Sequence, residues 1–436
     1  MKQIYRFPLK QHIGVAAAPT IVEGDNIVRG QLLASVSDNC LGANIFSSVS
    51  GVVTKISETE IIIEADEKQT DAYEPLKQDT PLALIKEAGI VGLGGAGFPT
   101  YAKLQSPLPP DGAVIINAAE CEPILGHNIA AIEKSPAQLI RGLQIAMDVV
   151  KAEKGIIAIK EIHTKAIKAL QQALTDERIS IVKLPNLYPM GEERAIIRET
   201  LGVLLGVESL PSEAHAIVIN AETACRIQEA VDLKKPLIDK NMTVAGKLKG
   251  NEDLIRIFEN VPIGISVGAM FEQAGGLADG YGELIMGGPF TGKRTSLDAP
   301  VIKTTGGLIA AECFMKDPEK IGLLVCACGA DKERLEEIAV SMGSGVVGVE
   351  YCKQAHPVKN IRKCENPGRC PGQVQKVLAL KKAGAQAVLI SNCTDCSNTV
   401  MSCAPQLGLT VYHCTDGALR AVNEKLVRRI KETTSR

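Results

Sequence analysis

The sequence has no tryptophan and little aromatic content of any kind, since its 436 residues include only 7 phenylalanines and 7 tyrosines. It also has no apolar run of the about 20 residues that a membrane-spanning helix needs. The first residues, MKQIYRFPLKQHIG, contain no continuous apolar core of the signal-peptide kind. These absences predict a cytoplasmic chain that is not inserted into a membrane.

An excess of charge of either sign is also missing. The 48 basic and 50 acidic residues give a net charge of −2, which excludes a chain-wide attraction to nucleic acid or anionic lipid. A chain of 436 residues is longer than one hydrophobic core usually serves, so several domains are expected. The oligomeric state does not follow from these numbers.

Cysteine is the residue type that the sequence has in excess, with 13 copies. Nine of them follow residue 320: Cys326, Cys328, Cys352, Cys364, Cys370, Cys393, Cys396, Cys403 and Cys414. Structural disulfides are rare in reducing compartments, so a cluster of this density indicates metal binding or redox chemistry.

The sequence divides into four blocks, which predict an α/β multidomain protein. Residues 1–75 alternate β-branched runs with turn signals and predict an all-β module. Residues 80–235 alternate the apolar runs AVIINA, GIIAIK, ISIVKL and AIVINA with amphipathic helices, which predicts a parallel α/β sheet. Residues 236–312 are glycine-rich and predict a small β-grasp-like module. Residues 320–436 predict a second α/β domain, in which each strand is followed by a cysteine, so that these thiols could meet at one sheet edge.

A glycine-rich loop, IVGLGGAGFPTYAKL, precedes a predicted helix start at Pro99-Thr100. Its glycines are Gly92, Gly94, Gly95 and Gly97. Glycine lets backbone N–H groups approach a phosphate closely, and a following helix N-terminus favours negative charge. The loop is therefore a candidate phosphate site, although a surface loop without a ligand has the same pattern.

Three polar segments follow at the predicted ends of strands in the same block. They are INAAECEP with Asn117, Glu120 and Glu122, LYPMGEER with Tyr188, Gly191, Glu192 and Glu193, and VINAETA with Asn220 and Thr223. Ligands of open parallel sheets bind at the carboxyl ends of the strands. Amides and a lysine suit a phosphate dianion, and carboxylates suit ribose hydroxyls, so these segments predict a nucleotide site.

In these motifs the chain resembles the NADH-oxidising, FMN-binding subunit of respiratory complex I and its relative RnfC. The glycine loop of the family is matched from Gly92 to Thr100, and its lysine is Lys103. The family motif N-G-A-E-C-E-P is matched at residues 117–123, where Ala118 replaces the glycine. The first block is similar to the barrel-sandwich hybrid of biotinyl and lipoyl domains, with Cys40 at the position of the modified lysine. Residues 236–312 correspond to a β-grasp module of the SLBB kind.

The resemblance implies FMN and NADH as cofactors and an NADH-dependent oxidoreductase activity. It assigns Gly92, Gly94 and Lys103 to the FMN phosphate and ribityl chain, and Asn117, Glu120, Asn220 and Thr223 to the polar edge and tail of the flavin. It also includes Gly95, Gly97, Tyr188, Gly191 and Glu192 in the cofactor site. Phe98, Glu122 and Glu193 would face the nicotinamide nucleotide, the two glutamates as catalytic residues. Leu104 replaces an aromatic residue of the complex I subunit, so adenine stacking is weaker or comes from elsewhere.

The C-terminal block departs from RnfC proteins, whose C-x-x-C-x-x-C-x-x-x-C-P repeats hold two [4Fe–4S] clusters. It resembles instead the tail of RnfC-like electron-transfer proteins associated with proline reductase, the PrdC type. It is also similar to the small iron–sulfur subunit of methyl-viologen-type hydrogenases. In this chain the segments that correspond to the cysteine-containing segments of that subunit are CAC, CENPGRC and GAQAVLISNCTDC.

Two chemistries stay open for this tail. In one, Cys393 and Cys396 form a catalytic dithiol at a strand-to-helix junction, where the helix N-terminus favours the thiolate. In the other, four ligands of a [2Fe–2S] cluster, or of zinc, come from one set: Cys326, Cys328, Cys364, Cys370, Cys393 and Cys396. Cys352, Cys403 and Cys414 are expected to be buried as small apolar residues.

The function expected from these features is electron transfer from NADH, through FMN and the cysteine centre, to a partner reductase. By resemblance that partner is proline reductase or another terminal reductase, and no nucleic acid is involved. Two alternatives are a peripheral RnfC-like subunit of a membrane redox complex and a non-enzymatic, partner-binding scaffold with an empty flavin site.

Overall fold

The computed structural model describes residues 2–250, 253–359, 361–391 and 394–428, with the backbone alone for 394–398. In this part the chain forms an N-terminal β module, a first α/β domain, a β-grasp module and a C-terminal domain that is again α/β. The predicted α/β multidomain fold class is therefore confirmed.

The N-terminal β module consists of seven short strands, and no helix lies in the described residues before Pro81. The strands are β1 (Ile4–Pro8), β2 (Ala18–Pro19), β3 (Asn26–Ile27), β4 (Leu32–Ser35), β5 (Ile45–Phe46), β6 (Gly51–Ile56) and β7 (Glu60–Ala65). They form two antiparallel sheets, β1-β7-β6-β3 and β2-β4-β5. Ile61 and Ile63 of β7 are both buried because alternate side chains of a strand face the same side.

The first α/β domain is built on a parallel sheet with the order β10-β9-β8-β11. Its strands are β8 (Ala113–Ala118), β9 (Lys154–Lys160), β10 (Ile179–Leu184) and β11 (Ala216–Asn220), and its helices are α1 (Pro81–Glu87), α2 (Thr100–Lys103), α3 (His127–Lys134), α4 (Pro136–Val150), α5 (Thr164–Ala173), α6 (Glu193–Leu201) and α7 (Ala221–Asp232), with a 3₁₀ turn at Pro211–Ala214. Ile116 packs in the cluster of α4 and α7, whereas its neighbour Ile115 packs with α6 on the other face. Because both faces are covered, the strands read as continuous apolar runs.

The β-grasp module follows with a mixed sheet in the order β13-β12-β16-β14-β15. Its elements are β12 (Asp239–Gly246), β13 (Ile255–Pro262), α8 (Val267–Gln273), β14 (Glu283–Met286), β15 (Lys293–Thr295) and β16 (Gly307–Ala311). The first and last strands pair in parallel at the centre of the sheet, which is the β-grasp topology. This module shares one hydrophobic core with the N-terminal β module, since Phe7 and Ile61 cluster with Met242 and Phe271.

The C-terminal domain has a parallel sheet with the order β18-β17-β21-β22. Its elements are β17 (Lys320–Val325), α9 (Lys332–Met342), β18 (Gly345–Tyr351), β19 (Ala355–Val358), β20 (Ile361–Cys364), α10 (Val374–Lys382), β21 (Ala387–Ile390), α11 (Thr394–Cys403), β22 (Thr410–His413) and α12 (Asp416–Ala421), with a 3₁₀ turn at Pro405–Leu407. Cys326, Cys352 and Cys414 each directly follow a strand, so they lie at the same edge of the sheet. The hairpin of β19 and β20 is an element that the sequence did not predict.

The C-terminal domain packs against the β-grasp module. The backbone N–H of Glu312, just after β16, donates to the Gly417 carbonyl of α12 at 2.9 Å. Arg334 of α9 pairs with Glu283 of β14, and both side chains are almost fully buried. Phe314, in the connection between the two units, is buried in the core of the C-terminal domain. This connection is therefore part of a packed interface.

Candidate functional site

The glycine-rich loop is held by the first turn of α7. The hydroxyl of Thr223 accepts a hydrogen bond from the Leu93 N–H at 3.0 Å and donates to the Val91 carbonyl at 3.3 Å. The Asn220 side chain caps α7 by accepting from the Glu222 N–H at 2.9 Å. A Cβ on Gly94 would lie 2.3 Å from Nδ2 of Asn220, so only glycine fits there. Asn220 and Thr223, predicted as cofactor ligands, thus both contact the loop.

The rest of the loop turns back on itself and leaves its tip open. The Gly92 N–H donates to the Phe98 carbonyl at 2.9 Å, and Gly97 has a φ of +72°. Gly94 and Gly95 are exposed, and a Cβ on Gly95 would meet nothing within 4 Å. The tip therefore has room for a ligand, while Phe98 is half-buried at its base.

The helix after this loop is short. It begins at Thr100, as expected, but α2 has only four residues and its dipole is correspondingly small. Positive charge comes from Lys103, whose Nζ donates to Oε1 of Glu193 at 2.7 Å and to the Val218 carbonyl at 3.0 Å. Both side chains of this pair keep contact with solvent, at 27% for Lys103 and 44% for Glu193, so an incoming phosphate can reach the ammonium.

One hydrogen-bonded group lies between the carboxyl end of β8 and the start of α6, and it consists of Asn117, Cys121 and Gly191. Nδ2 of Asn117 donates to the Gly191 carbonyl at 2.9 Å, and the Gly191 N–H donates to Sγ of Cys121 at 2.6 Å. A Cβ on Gly191 would lie 3.0 Å from that sulfur. Burial, assisted by Glu122 and Glu120, raises the pKa of the Cys121 thiol to about 11, so Cys121 is not a ready nucleophile.

The two glutamates that follow β8 have different partners. Glu120 has a φ of +39°, and its carboxylate accepts from the Asn128 N–H at 3.0 Å. Glu122 reaches the β-grasp module, where it accepts from the N–H groups of Phe290 at 2.8 Å and Thr291 at 3.0 Å and from the Thr291 hydroxyl at 2.5 Å. Burial raises the pKa of Glu122 although these hydrogen bonds oppose the shift. Glu122 thus joins two modules, and its role towards NADH stays a prediction.

Tyr188 and Glu192, in the LYPMGEER segment, differ in their contacts. Tyr188 stacks on Phe290 with ring centroids 3.7 Å apart, and Phe290 meets His413 edge-on at 5.4 Å. Glu192 caps α6 by accepting from the Arg194 N–H at 2.8 Å, and it also accepts from Nε of Arg194 at 2.8 Å. These contacts place Tyr188 at an interface between modules, whereas those of Glu192 stay within α6. The predicted contacts of both residues with FMN stay predictions.

The cysteines of the C-terminal domain meet this interface. Cys326, Cys352 and Cys414 are buried in one hydrophobic cluster with Tyr188, and Cys328, Cys370 and Cys121 pack against it. Burial raises the pKa of Cys414. The prediction that Cys352 and Cys414 are buried is correct, whereas Cys403 is partly exposed at the end of α11. The domain with the glycine loop and the cysteine-rich edge are thus in direct contact.

Both chemistries predicted for the C-terminal cysteines, the dithiol and the bound metal or cluster, draw on Cys393 and Cys396. Cys393 and the side chain of Cys396 lie outside the described residues. Within the described part, no three His, Cys, Asp or Glu side chains are grouped to bind a metal ion. Cys364 ends β20 and Cys370 lines a cavity of about 410 Å³ together with Lys353, Pro371 and Thr399.

Sequence reasoning missed the residues that join the modules. Phe290 and Thr291 lie in the turn GGPFTG, where an aromatic residue between glycines was a usable signal in a chain with so few aromatics. Arg194 and Arg198 of α6 also reach across, to the CENPGRC segment. Nothing in their local sequence distinguishes these arginines from solvent-exposed ones.

Comparison with known proteins identifies the family to which this chain belongs. Residues 1–71 match the profile of the RnfC barrel sandwich hybrid domain, and residues 85–229 match that of the Nuo51 FMN-binding domain. In the proton-translocating ferredoxin:NAD(+) oxidoreductase complex of Clostridium ljungdahlii, one subunit is 33% identical to this chain over 324 residues, 69% of each chain. The chain belongs to the RnfC family. Its predicted resemblance to RnfC, and its class as an oxidoreductase, are thereby confirmed.

Of two further relatives of this RnfC protein, one again has NAD(+) in its name and the other has cobalamin. The equivalent subunit of the Na(+)-translocating ferredoxin:NAD(+) oxidoreductase complex of Acetobacterium woodii is 32% identical over 336 residues, covering 72% of this chain and 74% of its own. The cobalamin reductase PduS of Salmonella typhimurium is 38% identical over 226 residues, covering 52% of this chain and 48% of its own. In the described residues of this RnfC protein, no helix has the length and apolar character to cross a membrane.

The residues of the RnfC site fit FMN. The exposed loop tip at Gly94 and Gly95 offers backbone to a phosphate, and the glycine at position 94 lets this backbone lie directly against Asn220. Lys103 adds a positive charge that is shared with Glu193 and open to solvent. This combination of open backbone and one cation suits the phosphate end of the cofactor.

Proposed function

We propose that this RnfC protein binds FMN and NADH in the first α/β domain and passes reducing equivalents through the C-terminal cysteines to a partner reductase. The observation that carries the proposal is the hydrophobic cluster in which Tyr188 and Cys121 pack with Cys326, Cys352 and Cys414. Electron transfer depends on close approach, and in this cluster residues of the two domains are in direct contact.

FMN supplies hydride chemistry when bound, and flavins can serve acceptors of either one or two electrons. The protein binds and orients the reactants. The Gly94-Gly95 backbone and Lys103 bind the phosphate, and Glu193, released from Lys103, accepts hydrogen bonds from nucleotide hydroxyls. Tyr188 and Phe290 exclude water on the side of the cysteines. NADH and one proton together carry two electrons and two protons, which convert one disulfide into two thiols. In the cluster alternative, the two electrons reduce one-electron acceptors one at a time.

The cysteine centre delivers electrons near Cys370. This residue lines the cavity described above, which gives a partner access to the edge of the centre. Cys393 and Cys396 supply a dithiol, or two of the ligands of a [2Fe–2S] cluster. The resemblance of the tail to the PrdC type favours proline reductase as the partner.

A second candidate function is that of the RnfC component in a membrane-bound ferredoxin:NAD(+) oxidoreductase complex. It is favoured by relatives that match 69% and 74% of their own length. The sequence lacks the C-x-x-C-x-x-C-x-x-x-C-P repeats that hold the electron-receiving clusters in that arrangement, which counts against it.

An anaerobic visible spectrum of the purified protein with added FMN, followed by NADH, tests the proposal. We expect flavin bands that bleach on NADH addition. Iron in stoichiometric amount selects the cluster, whereas a gain of two thiols without iron selects the dithiol. A protein that does not bind FMN is a scaffold and contradicts the proposal. Co-purification with proline reductase rather than with membrane proteins separates the two partner assignments.

A further inference from the structure

The first turn of α7 is fastened to the β-grasp module by a buried ion pair. Oε2 of Glu222 accepts from Nζ of Lys240, in β12, at 3.0 Å, and Oε1 accepts from the Asn241 N–H at 2.5 Å. The side chains of Glu222 and Lys240 are 3% and 0% exposed. Burial alone would raise the pKa of Glu222, but Lys240 and Arg226 bring it below its ordinary value. The carboxylate is therefore charged inside the protein.

The two members of this pair depend on each other. Burial lowers the pKa of Lys240, and the Glu222 carboxylate opposes that shift. Removing one member of a buried pair leaves the other charge without its partner, which costs more than removing both. Arg226 lies 3.4 Å from Glu222 and also pairs with Glu229 at 2.9 Å, so it keeps a carboxylate if both Glu222 and Lys240 are replaced.

The same turn of α7 carries the side chains that hold the glycine-rich loop. Asn220 caps the helix by accepting from the Glu222 N–H, and its side chain lies directly against Gly94. The Thr223 hydroxyl accepts from the Leu93 N–H. Glu222 stands between these two residues in the sequence, while its own carboxylate contacts β12. A shift of this turn on β12 therefore moves both groups that hold the loop.

A second line of contacts leads from β12 to Glu120, another predicted flavin ligand. The Thr243 hydroxyl and Nδ1 of His127 are hydrogen-bonded at 3.2 Å, and both residues are buried. Nε2 of His127 is hydrogen-bonded to Nδ2 of Asn128 at 3.3 Å, and the Asn128 N–H donates to the Glu120 carboxylate at 3.0 Å. Strand β12 is thus connected to two of the segments that are predicted to bind the flavin.

We propose that the β-grasp module is a positioning element of the FMN site, and that Glu222 and Lys240 are the pair of positioning residues through which it acts. The buried pair fixes the first turn of α7 on β12 and thereby sets the position of the loop at Gly94. Binding sites depend on such support for the groups that touch the ligand. The inference rests on the proposed function, because it assumes that FMN binds at this loop.

The test measures the FMN affinity of the full-length protein by titration of flavin fluorescence in Glu222→Gln, Lys240→Met and the double variant. We expect E222Q and K240M each to weaken FMN binding about tenfold, because each leaves one buried charge without its partner. The double variant should bind FMN more tightly than either single variant, because no charge of the pair is left behind.

Glu283→Gln is the matched control. It breaks the pair of Glu283 with Arg334, whose side chains are 8% and 4% exposed, where the β-grasp module meets the C-terminal domain. E283Q should lose stability in urea unfolding but keep the wild-type affinity for FMN.

Affinities of E222Q and K240M that stay within threefold of wild type overturn the inference. An equal loss of affinity in E283Q also overturns it, since reduced stability alone would then weaken binding. If neither single variant folds, Thr243→Val breaks the second line of contacts without burying an unpaired charge, and it is judged by the same threefold limit. A wild-type protein that does not bind FMN contradicts the proposed function instead.

Discussion

Lys303 is buried where three modules meet. Its Nζ donates to the carbonyls of Asn44 in the N-terminal β module, at 2.5 Å, and Gly89 in the first α/β domain, at 2.8 Å. Among the described residues no carboxylate is paired with it, and burial lowers the pKa of Lys303 to about 7. A neutral amine makes both hydrogen bonds without the desolvation cost of a charge. Lys303 therefore makes the joint between modules sensitive to pH.

Replacing Lys303 by methionine should flatten the pH dependence of stability. The unfolded chain, with the ordinary lysine pKa of 10.5, binds one more proton than the folded chain between about pH 7 and that value. As the pH rises, this residue therefore increases the free energy of unfolding of the wild type by up to about 1.4 kcal/mol per pH unit. The Lys303→Met variant lacks this increase. Urea unfolding at pH 7, 8 and 9 measures how the free energy of unfolding changes with pH. The exposed Lys168→Met is the control, and equal slopes in K303M and wild type would refute the assignment.

At the scale of single elements, the glycine loop and the first turn of α7 act as one unit. The capping bonds of Asn220 restrain its side chain against Gly94, and the hydroxyl of Thr223 holds the neighbouring Leu93 and Val91. A methyl group at position 94 would therefore displace the loop rather than the asparagine.

We expect Gly94→Ala to weaken FMN binding at least tenfold, while Gly95→Ala stays within threefold of wild type. The two glycines are adjacent and both exposed, but only a Cβ on Gly94 meets another group, at 2.3 Å. Titration of flavin fluorescence gives the dissociation constants. Similar affinities for the two variants would show that the loop does not hold the cofactor.

The elements that the sequence predicted are those with strong local signals. The strands around Ile115 and Ile157 have continuous apolar centres because both faces of the sheet are buried, and this pattern is visible in the sequence. The hairpin β19-β20 is only partly buried and has mixed residues, so no period marks it. The helix α2 stays short in front of the proline-rich segment QSPLPP, which cannot continue a helix.

The sequence motifs pointed to each predicted site residue separately, but not to the residues that contact it in the structure. The contact of Tyr188 with Phe290, and that of Glu122 with Thr291, join segments far apart in sequence, and neither motif contains information about the other. Convergence of Cys326, Cys352 and Cys414 was predictable because parallel strands end at one edge.

At the scale of the whole molecule, Phe290 is the point where three modules touch. It belongs to the β-grasp module, stacks on Tyr188 of the first α/β domain and meets His413 of the C-terminal domain. We expect Phe290→Ala to lower the free energy of unfolding by about 3–5 kcal/mol and to separate the unfolding of the C-terminal domain from the rest.

Phe271→Ala is the control for this variant, because both phenylalanines are 1% exposed but Phe271 packs inside the core shared by the two β modules. It should cost a similar free energy without separating the C-terminal domain. Calorimetry distinguishes the outcomes: two transitions in F290A and an undivided one in F271A. A single transition in both would mean that Phe290 does not couple the domains.

The core shared by the N-terminal β module and the β-grasp module has a consequence for synthesis. Phe7 and Ile61 leave the ribosome long before Met242 and Phe271, with the entire first α/β domain in between. The early strands therefore keep part of their apolar surface uncovered while the first α/β domain is synthesised. The first α/β domain is in effect an insertion into a discontinuous folding unit, which is complete only when β16 has been synthesised and can pair with β12.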